Sequence, residues 1–483
     1  MNLTFNIDSS LAPRQFTIKP EPGVTDDEIR VRAHPDIGVF DILDASGVRI
    51  GLLMGFPIDL QKRCVLSGPL KVTIPGSFGI EATAEMILDR LGGRFLLLLN
   101  ISGKSRIYPD CAAQVPCVYS PEKGVAGSTA DAILSDAKYE ALFRYDLYAA
   151  LDIDNDGWFP GGMTAHKGVE RLLPNHVLDL RDWSQKRYWP LETVERTQSP
   201  ESSLEEISQI IRIQLEALLN GPKKVVQALT AGHETRVMLA CAFPYLDSIE
   251  FVTLEGDTRR ADDTVISRRI AHDLGLNHSM LPRVTADEAT VARYMRRGGH
   301  CVGGPNRLTH PSLAVLRENH VFVGGGIGEV GRAFFWHGED RQDALLTGKL
   351  LAGRMGLPTE PRLEDRLDDW LKGLQGIDSL IALDLAYLEQ RVGPWGGAQM
   401  FSDPTLIRHN PLGTARSIKL MLGLPDAWKR QSVLTTGIIR MHWPELMSYP
   451  FNSQGVVRDL LKQVGRVARR PQLIARKLRK MRR

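Results

Sequence analysis

From Ser203 onward, short apolar runs alternate with amphipathic stretches, and few folds accept that pattern. Ser203 and Glu206 read as a capping box. Leu204, Ile207, Ile211, Leu215 and Leu218 follow at helical spacing, and Asn220-Gly221 closes the helix. Lys224 to Leu229 is then a short apolar strand, Thr230 to Glu234 a loop of mostly small residues, and Thr235 to Phe243 the next helix. Ile249 to Leu254 is a second strand, Asp262 caps a helix running to Gly275, and Val321-Phe322-Val323 is a third strand. Strands separated by helices of this length imply an α/β unit, a parallel sheet with helices on both faces. Past Leu345 the pattern is mostly helical.

In such a sheet, ligands meet the loops that follow the strands. The first loop, Thr230-Ala231-Gly232-His233-Glu234-Thr235-Arg236, joins a strand to a helix start, where free N–H groups and the helix dipole favour phosphate. Hydroxyls on Thr230 and Thr235 add donors. The Glu234 carboxylate repels phosphate unless Mg²⁺ bridges the two. The second loop holds Glu255, Asp257, Asp262 and Asp263, acids at the ligand edge or, for Asp262, a helix cap. The third loop has five glycines between Gly324 and Gly331 and then Arg332. Glycines there permit close approach to a ligand or an unusual φ, with Glu329 as a metal ligand and Arg332 as a phosphate donor.

The first ~195 residues differ in kind. Gly, Pro, Asp and Ser punctuate short apolar runs such as Phe95 to Leu99, the pattern of a layered β structure with a few helices. A joint from Tyr188-Trp189-Pro190 to Ser203 separates the halves. The five cysteines show no C-x-x-C pair, which argues against a zinc site or disulfide framework and suits a reducing cytoplasm. Asp152-Ile153-Asp154-Asn155-Asp156-Gly157 opens like a calcium loop, but Met163 stands where the bidentate Glu belongs, so an acidic turn is expected. Residues 458–483 hold eleven Lys or Arg against one acid, Asp459. That stretch suggests either a solvated terminal helix or a basic amphipathic helix for peripheral contact with an anionic membrane or polyanion. Nothing points to specific nucleic-acid recognition.

The three loops, in order and spacing, resemble the asparagine synthetase family. Thr230 to Thr235 is similar to its Ser-Gly-Gly-Leu-Asp-Ser loop, Asp262 to the acid opening its next helix, and Gly324 to Glu329 to its glycine-rich loop ending Asp-Glu. Asp384-Leu385-Ala386-Tyr387-Leu388 resembles its helical D-x-x-Y-L stretch, with Asn410-Pro411-Leu412 and Leu424-Pro425 where it has Pro-Phe-Leu-Asp and Leu-Pro. Upstream, Leu91-Gly92-Gly93-Arg94-Phe95, Tyr108-Pro109-Asp110 and Leu173-Pro174-Asn175-His176 are similar to its glutaminase domain. The resemblance spans most of 80–450. It implies an amidotransferase-like layered α+β domain over 1–195, a Rossmann-like ATP-pyrophosphatase domain over 203–457, and a basic tail over 458–483. It also implies a ligase that adenylates a small-molecule or peptide carboxylate, releases pyrophosphate and forms an amide with ammonia or an amine. ATP would contact Thr230, Ala231, Gly232, Thr235, Arg236, Leu254, Gly324, Gly325 and Gly326; Glu234 and Glu329 would hold Mg²⁺.

The departures matter as much. The family's nucleophilic cysteine after the initiator Met is Asn2 here, so glutamine hydrolysis is not expected. The first-loop Asp is Glu234, the third-loop Asp is Gly328, and a carboxylate used in ammonia handling falls at Gly325. The expected transition-state Lys reads Thr436, leaving Lys429 and Arg430 as the replacement cations beside Glu329. A degenerate protein that binds nucleotide or a partner without ligating anything is the alternative.

Overall fold

The computed structural model describes residues 3–21, 28–76, 78–256, 261–301, 303–317, 319–398, 403 and 406–452. The basic tail and Asp257 lie outside the described residues.

In the N-terminal half two β-sheets face one another. The first has six strands in the order β1 (Leu3–Ile7), β3 (Glu28–Ala33), β2 (Phe16–Glu21), β11 (Val125–Gly127), β10 (Val118–Ser120) and β12 (Glu170–Arg171). The second runs β14 (Ser184–Arg187), β13 (His176–Asp179), β9 (Lys104–Pro109), β8 (Leu91–Ile101), β5 (Arg49–Asp59), β4 (Val39–Leu43) and β7 (Leu70–Lys71), with β6 (Cys64–Val65) paired to β5. Side chains alternate across a strand. Leu52, Met54, Leu96 and Leu98 therefore point inward to meet Phe16, Ile18 and Val31 of the other sheet. Leu53, Leu97 and Leu99 point the other way, onto Ile80, Ala84, Ile87 and Leu88 of the helix Ile80–Arg90. Covered on both faces, β8 reads as a continuous apolar run.

The C-terminal half is built on a parallel five-stranded sheet. Its order is β17 (His278–Leu281), β16 (Glu250–Leu254), β15 (Lys224–Ala228), β18 (His320–Val323) and β19 (Ile407–His409). The helix before it spans Pro200–Leu219 and starts earlier than the capping-box reading placed it. Proline at the first helical position sets the start. Ser203 is already buried inside the helix, and Glu206 pairs with Arg416 at 2.5 and 2.8 Å.

The two halves are fastened through a wide π-helical segment, Tyr387–Gly397, that continues the helix Ser379–Ala386. Glu389 of this segment is buried. It accepts hydrogen bonds from Arg187 at 2.6 and 2.5 Å, Asn175 at 2.9 Å and the Trp370 indole at 2.7 Å. Burial alone would raise its pKa, but the Arg187 guanidinium outweighs burial and holds it below the usual range. Next to it, the Gln390 carbonyl accepts from Trp158 and its side chain from the Gly161 N–H, both at 2.6 Å. In the acidic turn at Asp152–Gly157, Asp154 faces Arg307 at 2.6 Å and the Tyr148 hydroxyl at 2.9 Å. No helix among the described residues is long and apolar enough to cross a membrane.

Candidate functional site

β15 ends at Ala228, and the chain turns through Thr230–Gly232 into the helix His233–Cys241. The turn is shaped from within. The Thr230 and Thr235 hydroxyls lie 2.8 Å apart, and the Gly232 N–H donates to Thr230 Oγ1 at 3.0 Å. The Ala231 N–H donates to Asp263 Oδ1 at 2.9 Å, so the second acidic loop braces the first through Asp263. Asp262 sits beside it in the first turn of the helix Ala261–Asp273. No side chain caps the helix at Gly232. Its first N–H groups form the positive end that favours phosphate.

Glu234, in that first turn, pairs with Arg332 of the third loop. Burial, and then the charge of Glu329, push the Glu234 pKa up to about 7 against the pull of Arg332. Tyr387 completes the group. Its hydroxyl faces Glu329, and burial followed by the charge of that carboxylate pushes the phenol pKa far up. One buried oxygen of Glu329 has no partner among the described residues. Two acids sharing a half-buried space repel one another, and a divalent cation would relieve that. Mg²⁺ typically takes one or two carboxylates and completes its shell with water and phosphate oxygens. Among the described residues no group of three or more His, Cys, Asp or Glu forms a metal site. The pair Glu234 and Glu329 could supply two of the ligands of such a cation, leaving the rest of its shell to water or phosphate oxygens.

The glycine run serves the packing of protein on protein. A Cβ at Gly325 would stand 2.6 Å from Glu234 Cβ and from the Thr235 nitrogen; at Gly328, 2.8 Å from Glu234 Cγ. At Gly324 it would meet Asn410 Oδ1 at 2.9 Å, and at Gly326 the same atom at 3.3 Å. The left-handed conformation expected of a glycine falls instead on Ile327, at φ 81°. The third loop is thus pressed against the helix start of the first, which brings Glu329 beside Glu234. On the sheet face next to the turn, Ala228, Thr230, Val252, Leu254, Phe322 and Arg408 line a cavity of about 170 Å³.

Three cations expected at phosphate are used elsewhere. Arg236 is fully buried, donates to the carbonyls of Tyr449 at 2.8 Å and Pro450 at 3.0 Å, and stacks on Phe451 at 4.0 Å. Lys429 is also fully buried, bonded to Asp384 at 2.7 Å and to the Leu422 carbonyl at 2.8 Å. Burial lowers its pKa and raises that of Asp384 to about 6, each opposed by the other's charge. Arg430 lies over Trp336 and donates to the carbonyls of His337 and Asp340. A cation near a helix end also answers orphan carbonyls, as Lys429 does at Leu422 and Arg236 at Tyr449, whereas Arg430 meets carbonyls of an irregular stretch. The cation that does face the acids is Arg332. Ala231 is likewise engaged, its carbonyl accepting from the Asn452 N–H at 3.0 Å. The approach of Tyr387 to Glu329 had no signal of its own in the sequence beyond its place in the D-x-x-Y-L stretch.

No protein-family model matches the chain, and no curated protein matches it. Solved structures similar to parts of it include an NH3-dependent NAD synthetase from Campylobacter jejuni subsp. jejuni, solved with the nitrate ion. It is 13% identical over 39% of this chain and 93% of that one, with a TM-score of 0.20. An NMN synthetase from Francisella tularensis is 12% identical over 49% of this chain and 95% of that one, with a TM-score of 0.19. A glutamine phosphoribosylpyrophosphate amidotransferase from B. subtilis, complexed with ADP and GMP, is 10% identical over 58% and 57%, with a TM-score of 0.16. At scores this low the likenesses carry no argument about activity.

Proposed function

We propose that this chain is an ATP-dependent, AMP-forming ligase that activates a carboxylate and joins it to ammonia or an amine, without a glutaminase of its own. The observation that carries the reading is the meeting of three loops at the carboxyl end of one parallel sheet. They set an uncapped helix start, two mutually repelling carboxylates and one arginine side by side. The helix start and the hydroxyls of Thr230 and Thr235 would hold phosphates. Glu234 and Glu329 would hold Mg²⁺, which supplies charge neutralisation for the phosphates when bound. Arg332, paired here with Glu234, would serve a phosphate oxygen when metal is bound, and Tyr387 would steady Glu329. Burial pushes the thiols of Cys117 and Cys241 up to about 12 and holds that of Cys111 well above its usual value, which disfavours them as nucleophiles. The amine would then come from solution or from the substrate.

The test is exchange of labelled pyrophosphate into ATP, with AMP release, over pools of amino acids, uronic acids and peptides, with and without ammonium. Substrate-dependent AMP that falls at least ~100-fold in Glu329→Gln supports the reading, that loss being about 2.7 kcal/mol of transition-state stabilisation. ADP in place of AMP rejects it. The engagement of Arg236, Lys429 and Arg430 by carbonyls and Asp384 favours a second reading, a nucleotide-binding protein with no ligase step. ATP binding by calorimetry with no AMP from any pool would select it.

A further inference from the structure

Behind the glycine loop, at the joint of the two halves, lies a cluster of positive charge. Arg94 stands on β8, on the same side as Leu96 and Leu98 by strand alternation. It is 5% exposed, and its buried Nη1 has no hydrogen-bond partner among the described residues. The charges that act on it most are those of Arg14 and Arg408, both repulsive. The carboxylate that acts on it, Asp110, is occupied: it accepts from the N–H groups of Phe95, Ala112, Gln114 and Val115. Arg14 reaches in from the loop after β1 and spends one N–H on the Leu406 carbonyl at 3.2 Å. Beside Arg94 sits His409 of β19, 1% exposed, with neither ring nitrogen partnered among the described residues. Burial and the charge of Arg94 push its pKa down to about 3, so the ring is neutral and can offer one N–H.

A guanidinium cannot shed its proton at ordinary pH, and burying it among like charges is costly. From this we infer that the joint is a binding site for a small oxyanion, a carboxylate or phosphate, held by Arg94, Arg14 and His409. Guanidinium forks match both anions. The site touches the candidate active loops through the chain. Asn410, next to His409, packs against Gly324 and Gly326, and the His409 carbonyl accepts from the Gly324 N–H at 2.9 Å. Gln114 bridges the Gly93 carbonyl to the Asn410 side chain, each at 3.4 Å. An anion here would fix β8 to β19 and set the seat of the glycine loop, whatever that loop binds.

The experiment uses the full chain in thermal unfolding and titration calorimetry at constant ionic strength. Sodium phosphate and sodium succinate are each titrated against sodium chloride, with Lys123→Gln as a charge-matched control far from the joint. The expected result is a saturable rise in Tm with phosphate, succinate or both. The anion's Kd weakens at least tenfold in Arg94→Met and in Arg14→Gln and is unchanged in Lys123→Gln. The anion that saturates at the lower concentration identifies the chemical class. Should Arg94→Met fail to fold, Arg14→Gln and His409→Phe carry the comparison. A rise that never saturates, or one equal in wild type and all joint variants, overturns the site. Because no nucleotide is used, failure here leaves the ligase reading standing, and failure of that reading leaves this one.

Discussion

Glu389, buried, and Glu234, half-buried, each face an arginine, yet their environments push them in opposite directions. Glu389 receives four hydrogen bonds from Arg187, Asn175 and Trp370 and is held below the usual carboxylate range. Glu234 has Arg332 but also Glu329, and it is driven up to about 7. A buried charge whose needs are met is a fastening. One left in conflict with a neighbour is tension that a ligand can relieve, which is why perturbed groups mark functional sites.

That contrast can be broken by mutation. The largest effect is expected at the fastening: Glu389→Ala strands Arg187 in the interior and should cost about 3–5 kcal/mol in urea unfolding. A loss under about 1 kcal/mol would mean that the joint does not depend on this carboxylate. The second buried pair should behave alike, with Lys429→Met alone losing about 3 kcal/mol or more and Lys429→Met with Asp384→Leu recovering most of it. Additive losses in the double variant would rule out the pairing as the cause.

At the conflicted carboxylate the sign reverses. An unfolded glutamate titrates near 4.3. The folded state therefore keeps a proton on Glu234 between about pH 4.5 and 7 that the unfolded state has lost, and stability falls as pH rises through that window. Glu234→Gln should thus stabilise by about 1–3 kcal/mol at pH 8 and by nothing at pH 4. A substitution that destabilises equally at both pH values would show that Glu234 is another fastening. The smallest effect belongs to Arg430→Ala, which removes two bonds to carbonyls and a stack on Trp336, about 1 kcal/mol, with nucleotide affinity unchanged. A tenfold loss of affinity would return Arg430 to the site.

The sequence made the parallel sheet and its three loops legible, because strand–helix alternation and glycine runs are local signals. What it could not show was which partner each charged group would find. Arg236, Lys429 and Arg430 look like phosphate ligands until the carbonyls of 422, 449 and 450 and of 337 and 340 are seen beside them. The glycines from Gly324 to Gly328 correctly announced a close approach, but the approaching atoms belong to Glu234 and Asn410. The capping box at Ser203 was outranked by Pro200, a stronger start signal three residues earlier. Glu389 passed unnoticed, one residue beyond the D-x-x-Y-L stretch, because nothing local separates a buried fastening from a surface acid.

The π-helical segment carries a structural consequence. Tyr387, Glu389 and Gln390 leave the same wide turn, the first toward Glu329 and the other two toward the N-terminal half. Deleting one residue from Tyr387–Gly397 would restore a narrower spiral and swing these directions apart. Removing the N-terminal half would strip Glu389 of Arg187 and Asn175 and leave the turn unsupported. Whatever else the N-terminal half does, the posture of a residue at the other half's centre depends on it.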